Sequence, residues 1–220
     1  MNVFDEQRGQ IALYATPGSK DAATVAIILE ELRLPHTIHL VSSSSEIQDP
    51  NIPASPTLPL MTNISRHGTH HVFSGFAEIT TYLLSSHDQH KHISYAQGSK
   101  EAEEVARWIS VVSTTVADSH NHHNNHDGKD KGPEGDEEVP FARKALGLYL
   151  RLEQQLSTAR TRFLVGSKCT LADLAAFPYV AAAGSVGLDL ERFPELTSWF
   201  DRVATLGSVA KGMAAVKLSV

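Results

Sequence analysis

The sequence predicts a mixed α/β domain followed by an all-helical one, on three observations. A β-α-β pattern opens the chain, a proline-rich loop and a hairpin pattern carry it to about residue 85, and beyond residue 98 apolar residues recur only at helical spacing.

Each element has its own signal. Ile11-Ala12-Leu13-Tyr14 is a short apolar run stopped by Thr16-Pro17-Gly18, a buried strand entering a turn. Val25, Ile28, Leu29 and Leu32 then fall at i, i+3, i+4 and i+7 between Asp21 and Pro35, which predicts a helix with one apolar face. Thr37 to Val41 reads as a second strand, and such a unit favours a parallel pair with its crossover helix on one face. Pro50, Pro53, Pro56 and Pro59 recur at every third residue, a spacing that suits extended backbone. Leu58 to Thr62 and His70 to Ser74 pair as a hairpin around His67-Gly68, and a helix from Phe76 to Leu84 closes the domain. The expected division is 1–85 for this domain, 86–98 for a polar linker and 99–220 for the helical domain.

In the helical part, Glu101 to Val116 presents Val105, Trp108, Ile109 and Val112 on a face, and Phe141, Ala145, Leu148, Leu152 and Leu156 form the stripe of a second helix. Thr170 to Ala183 is too apolar for a surface helix and is expected at the centre of the bundle, and Pro194 to Leu206 supplies a fourth. Thr170 and Asp173 stand three apart at the start of the buried helix, the spacing of a capping box in which each side chain accepts from the other's backbone N–H. Residues 119–138, crowded with His, Asn, Asp, Gly and Glu, are expected to form a mobile loop.

Composition narrows the function classes. Net charge is −6, with 19 basic residues spread along 220, so no Lys/Arg stripe marks a nucleic-acid or anionic-membrane surface. No apolar run approaches the roughly 20 residues that span a bilayer, and the start of the chain lacks a signal-peptide pattern. The lone Cys169 cannot make an internal disulfide, which fits a reducing, cytoplasmic setting.

The order of elements resembles that of the cytosolic glutathione transferases over nearly the whole chain. Leu13-Tyr14-Ala15-Thr16-Pro17-Gly18-Ser19 is similar to their first strand and active-site turn, Thr57-Leu58-Pro59-Leu60 to their cis-proline segment, and Phe163-Leu164-Val165-Gly166 with Thr170-Leu171-Ala172-Asp173 to their most recognisable helical stretch. The resemblance implies a thioredoxin-like first domain of β-α-β-β-β-α type, glutathione as cofactor, a hydrophobic small molecule as substrate, and a homodimer. It implies a cis peptide before Pro59 that leaves the Leu58 backbone open to an extended peptide, which pairs there as an added strand. Ser19 is the match to the serine that sets its hydroxyl against the glutathione thiol. A hydroxyl donor and the positive end of a helix both favour thiolate, and Lys20 adds a positive charge. Ser before an apolar-periodic stretch is equally a standard helix start, so capping and catalysis both stand as readings of Ser19.

Departures from the family pattern are as informative. Where relatives carry Glu-Ser or Gln-Ser to hold the γ-glutamyl end of glutathione, this chain has Gly75 and Phe76, and the polar residue usual two before the cis-proline is Thr57. Ser74 substitutes if the register slips by one. Charge-assisted hydrogen bonds contribute roughly 1.5–3 kcal/mol each, so losing two weakens glutathione by roughly two to four orders of magnitude. The second substrate would lie along Trp108, Ile109, Val112 and Thr115, on the face of their helix turned toward Ser19.

His120, His122, His123 and His126 are packed into seven residues, yet with no Cys and no predicted structure they read as a solvated loop rather than a metal site. Three functions follow as expectations. They are conjugation or thiol-assisted isomerisation of an apolar electrophile, a glutathione-independent isomerase, lyase or cyclase on the same fold, and a non-catalytic interaction module.

Overall fold

The computed structural model describes residues 10–53, 55–65, 68–116, 135–183 and 187–220. These fall into two compact units. The described residues up to His92 together with Leu206–Val220 make one, and Ile93–Thr205 make the other.

In the first unit, strands β1 (Gln10–Ala15), β2 (His36–Leu40), β3 (Leu60–Ile64) and β4 (His70–Ser74) form one sheet in the order β2-β1-β3-β4. The β1–β2 pair is parallel, as a helical crossover requires, and the β1–β3 and β3–β4 pairs are antiparallel. β1 alternates: Ile11, Leu13 and Ala15 are buried while Ala12 and Tyr14 are half-buried. β3 begins at Leu60, two residues later than the sequence pattern indicates, directly after a cis peptide between Leu58 and Pro59.

Helix α1 (Lys20–Glu31) departs from the expected single apolar face: Ala22 through Leu29 are all buried. The reason lies at the far end of the sequence. A short helix that the apolar pattern does not signal, Gly207–Ala215, packs closely along α1. It carries two glycines in nine residues, and Gly is the second-poorest helix former, so propensity argues against it. Burial decides instead. A Cβ on Gly212 would stand 2.5 Å from the Ile27 backbone nitrogen and 2.8 Å from its Cα, so the two backbones meet at a distance only glycine permits. Helix α2 (Phe76–His87) completes this unit.

The second unit contains α3 (Lys100–Val116), α4 (Gly135–Ala159), α5 (Leu171–Ala183) and α6 (Pro194–Ala204), and the short Gly207–Ala215 helix is α7. Leu206–Val220 thus groups with the α/β unit, where the sequence reading placed it with the helices. α4 begins at Gly135, so residues 135–138 are helical rather than loop; the rest of the 119–138 loop expectation, residues 119–134, lies outside the described residues. An acidic run suits the positive end of a helix, a signal that loop-like composition outweighed. The expected linker is also more structured than its polarity indicates. Ile93 is buried and its carbonyl accepts from Leu171 N–H at 2.9 Å, and the Ser94 carbonyl accepts from Lys168 Nζ at 2.6 Å.

α5 is buried from Leu171 to Val180, and its start is organised around Asp173. The Thr170 N–H donates to Asp173 Oδ2 at 2.8 Å, one half of the expected box. The other half differs: the Thr170 hydroxyl donates to the same oxygen at 3.0 Å. Oδ1 is taken by Leu164 N–H and Trp199 Nε1–H, both at 2.8 Å. Burial pushes this carboxyl up and the donors around it oppose that.

α7 ends in a Schellman stop: Lys217 N–H donates to the Ala214 carbonyl and Leu218 N–H to that of Met213, each at 3.0 Å, with Lys217 at φ 62°. A left-handed conformation costs a non-glycine residue roughly 1–2 kcal/mol, offset by glycine's larger unfolded-state entropy. Lys217→Gly is therefore expected to raise stability by about 0.5–1 kcal/mol, read as a higher urea midpoint at unchanged slope.

Candidate functional site

The sheet register brings three chain segments to one end of the α/β unit. Tyr14 pairs with Leu60 and Leu60 with Ser74, so the turn after β1, the residues before β3 and the start of α2 are neighbours.

The first segment is Thr16-Pro17-Gly18-Ser19. Gly18 has φ 77°, and Ser19 N–H donates to the Thr16 carbonyl at 3.2 Å. Ser19 is the N-cap of α1, its hydroxyl oxygen accepting from Ala22 N–H at 3.3 Å. That is the capping role foreseen for it, and it leaves the hydroxyl proton unassigned. A serine that accepts from the backbone still donates through its O–H, so one side chain carries both roles without conflict. Lys20 is the first residue of α1, and burial lowers its ammonium pKa, with Asp21 acting against that shift.

The second segment is Thr57-Leu58-Pro59. Pro59 is buried, Leu58 is half-buried, and neither the N–H nor the C=O of Leu58 has a hydrogen-bond partner among the described residues. Backbone groups of this kind are paired in the great majority of cases, so an unpaired N–H and C=O on one residue is an open position for an extended strand.

The third segment is Ser74-Gly75-Phe76. The Ser74 hydroxyl accepts from Thr57 N–H at 2.8 Å and donates to the Thr57 carbonyl at 3.1 Å, and Gly75 N–H donates to the Pro59 carbonyl at 2.9 Å. Ser74, Thr57, Pro59 and Gly75 are thus brought together, with the Ser74 side chain fastening the loop before Pro59. Gly75, at φ 83°, is the N-cap of α2 and supplies no side-chain cap. Phe76 is half-buried.

Sequence reasoning missed two residues here. Glu78 reaches back to accept from Ser74 N–H at 2.8 Å, a variant of the box in which the N3 acid returns to the N-cap; its position three after Gly75 was the available signal. Val216 accepts from Gly18 N–H at 2.7 Å. No sequence signal exists for that contact, because the acceptor is backbone and lies nearly the whole chain away.

The proposed substrate wall lies on α3, in the helical unit. Trp108 and Val112 are buried, at 5% and 2% exposure, and Ile109 is half-buried. Thr115 falls in α3, but its side chain lies outside the described residues. Of the four, Trp108 lines a shallow groove of about 390 Å³ between α3 and α4, together with Arg107, Val111, Arg151 and Gln155. The histidines at 120, 122, 123 and 126 lie outside the described residues, and among the described residues no three His, Cys, Asp or Glu side chains group to hold a metal.

Comparison with known proteins fits this arrangement. The family model described as "Glutathione S-transferase, C-terminal domain" matches residues 76–206, more than half of the chain. The chain belongs to the glutathione S-transferase superfamily, as a divergent member. It is 26% identical over 208 residues to the glutathione S-transferase-like protein tpcF of Aspergillus fumigatus, covering 90% of this chain and 92% of that one. Among solved structures it resembles a glutathione transferase homologue from Lodderomyces elongisporus, with two glutathiones per subunit, at TM-score 0.73 and 21% identity, covering 93% and 98% of the two chains. It also resembles a maleylacetoacetate isomerase from Anaeromyxobacter dehalogenans with bound dicarboxyethyl glutathione and citrate, at TM-score 0.74 and 18% identity, covering 94% and 91%. No helix among the described residues is long and apolar enough to cross a membrane.

Proposed function

We propose that this protein is a glutathione S-transferase-like enzyme that holds glutathione along Thr57, Leu58 and Pro59, sets its thiol beside Ser19 and Lys20, and conjugates or isomerises a hydrophobic electrophile. The observation that carries the reading is the unpaired N–H and C=O of Leu58 at the same sheet end as the α1 start. The cysteinyl backbone of glutathione pairs there as a short strand. Its thiol then meets the Ser19 O–H and the positive end of α1, both of which favour the thiolate. The thiolate attacks the electrophilic carbon; in conjugation the leaving group departs with the bonding pair, and in isomerisation the thiolate itself leaves after rotation about the attacked bond. Trp108, Ile109, Val112 and Thr115 are the proposed apolar contacts for that substrate. The protein works as a homodimer in the cytoplasm.

Ser19→Ala removes the donor and leaves the fold otherwise unchanged apart from a cap. Stability should fall by about 1 kcal/mol, and kcat/KM with glutathione and an aryl halide by about 10²-fold. Unchanged turnover would remove Ser19 from the chemistry, and no heat of binding with millimolar glutathione would remove the whole reading.

A second reading has an observation of its own. Gly75 has no side chain, Phe76 is apolar and the Ser74 hydroxyl is committed to Thr57, so of these three residues none offers a free polar side chain to the γ-glutamyl end of glutathione, and the first-turn N–H groups of α2 are what this segment presents. This favours a glutathione-independent isomerase, lyase or cyclase. It predicts a silent glutathione titration alongside binding of an apolar metabolite.

A further inference from the structure

The turn that carries Ser19 is held from outside by the last residues of the chain. Gly18 N–H donates to the Val216 carbonyl at 2.7 Å, shorter than the usual 2.9–3.0 Å of such bonds. Three separate features deliver that carbonyl. At one end of α7 the Ser208 hydroxyl donates to Glu31 and Lys211 Nζ lies 3.4 Å from Glu30. In its middle, Gly212 sits on the Ile27 backbone. At its other end, the Schellman stop at Lys217 and Leu218 takes up the carbonyls of Ala214 and Met213 and leaves that of Val216 for Gly18. α7 therefore runs antiparallel to α1, from Glu31 back to the turn before Lys20.

A helix C-terminus leaves four carbonyls without intrahelical partners. Giving one of them to a glycine at φ 77° fixes the Pro17–Gly18 peptide, one residue before Ser19. Otherwise, among the described residues, the turn is tied by Ser19 N–H to Thr16 at 3.2 Å, by the Ser19 cap at 3.3 Å and, on its α1 side, by the Ser19 carbonyl, which accepts from Ala23 N–H at 2.9 Å; none of these holds the Gly18 N–H. We propose that the C-terminal segment is a working part of the site, with Val216 as a positioning residue whose carbonyl sets where the Ser19 hydroxyl stands. This rests on the reading of Ser19 given above. The segment touches no substrate; it acts through the Gly18 peptide.

Lys217 allows the test, because its side chain is exposed while its backbone holds the left-handed turn. Lys217→Val makes that conformation costly for a β-branched residue, whereas Lys217→Gly relieves it. Two shortened chains complement them: one ending at Val216, which keeps an acceptor as its terminal carboxylate, and one ending at Ala215, which does not. Amide exchange at Gly18 and the pH at which bound glutathione ionises are measured on all of them. Lys217→Gly should match the wild type, and the chain ending at Val216, which keeps an acceptor but loses the Schellman stop that aims it, should exchange Gly18 at a rate between the wild type and the chain ending at Ala215. Lys217→Val and the chain ending at Ala215 should exchange Gly18 faster, bind glutathione about tenfold more weakly, as loss of one hydrogen bond predicts, and ionise its thiol at higher pH, while Ile27 keeps its protection. Should the shorter chain not fold, Lys217→Val decides. Equal Gly18 exchange in all four variants overturns the proposal. Wild-type protein that binds no glutathione overturns the Ser19 reading instead, and Gly18 exchange then still decides whether the tail holds the turn.

Discussion

Asp173→Asn is expected to cost about 3–5 kcal/mol, a large share of the 5–15 kcal/mol that holds a typical domain. The carboxylate is fully buried and each oxygen accepts twice: Oδ1 from Leu164 N–H and Trp199 Nε1–H, Oδ2 from Thr170 N–H and its hydroxyl. Asparagine preserves the shape but turns one acceptor into a donor. Placed at Oδ1, the NH2 group faces two donors, Leu164 N–H and Trp199 Nε1–H; placed at Oδ2, it faces the Thr170 N–H while the Thr170 hydroxyl turns to accept, and buried donors without acceptors cost roughly 1–3 kcal/mol each. The loss reaches three parts of the helical unit at once, since the loop at Leu164, the start of α5 and the indole of Trp199 on α6 all converge on this side chain. Urea unfolding followed by Trp fluorescence reads it directly. A loss under 1 kcal/mol would mean that the four bonds are replaceable and that apolar packing alone holds α5 in place.

The contrast between Asp173 and Val216 explains how much of this molecule was legible in advance. Asp173 was visible because a side chain announces its role by type and spacing: an acid three residues after a threonine, ahead of an apolar run. Even so, the sequence could only pair it with Thr170. Leu164 and Trp199 join through tertiary packing, which spacing does not encode. The β-α-β opening, the hairpin and the four long helices were legible for the same reason, since each buries a periodic face. What stayed hidden is backbone. Leu58 is read as a ligand-pairing residue only through resemblance, because no side-chain property distinguishes it. Gly75 and Phe76 were legible as departures, while the Ser74 to Thr57 clasp required the register of β3 against β4. α7 was invisible because its glycines argue against a helix, and only contact with α1 gives them a purpose.

Gly212→Ala puts that purpose to a test in which two effects oppose each other. On propensity alone, alanine in a helix interior is better than glycine by up to about 1 kcal/mol, so an exposed α7 would be stabilised. Packing predicts the reverse. The new methyl would stand 2.5 Å from the Ile27 nitrogen and 2.8 Å from its Cα. Both are backbone atoms of a buried helix, with no flexible end to swing aside. α7 must then move off α1, opening the buried contacts of Val209, Met213 and Val216. Overpacking of this kind costs about 1–3 kcal/mol and more where backbone is the obstacle, so the expected net loss of stability is about 2–3 kcal/mol, read as a lower urea midpoint at unchanged slope. The same displacement withdraws the Val216 carbonyl, so Gly18 amide exchange should accelerate with it. A variant more stable than the wild type would show that the helices do not meet at Gly212, and would sever the C-terminal segment from the Ser19 turn.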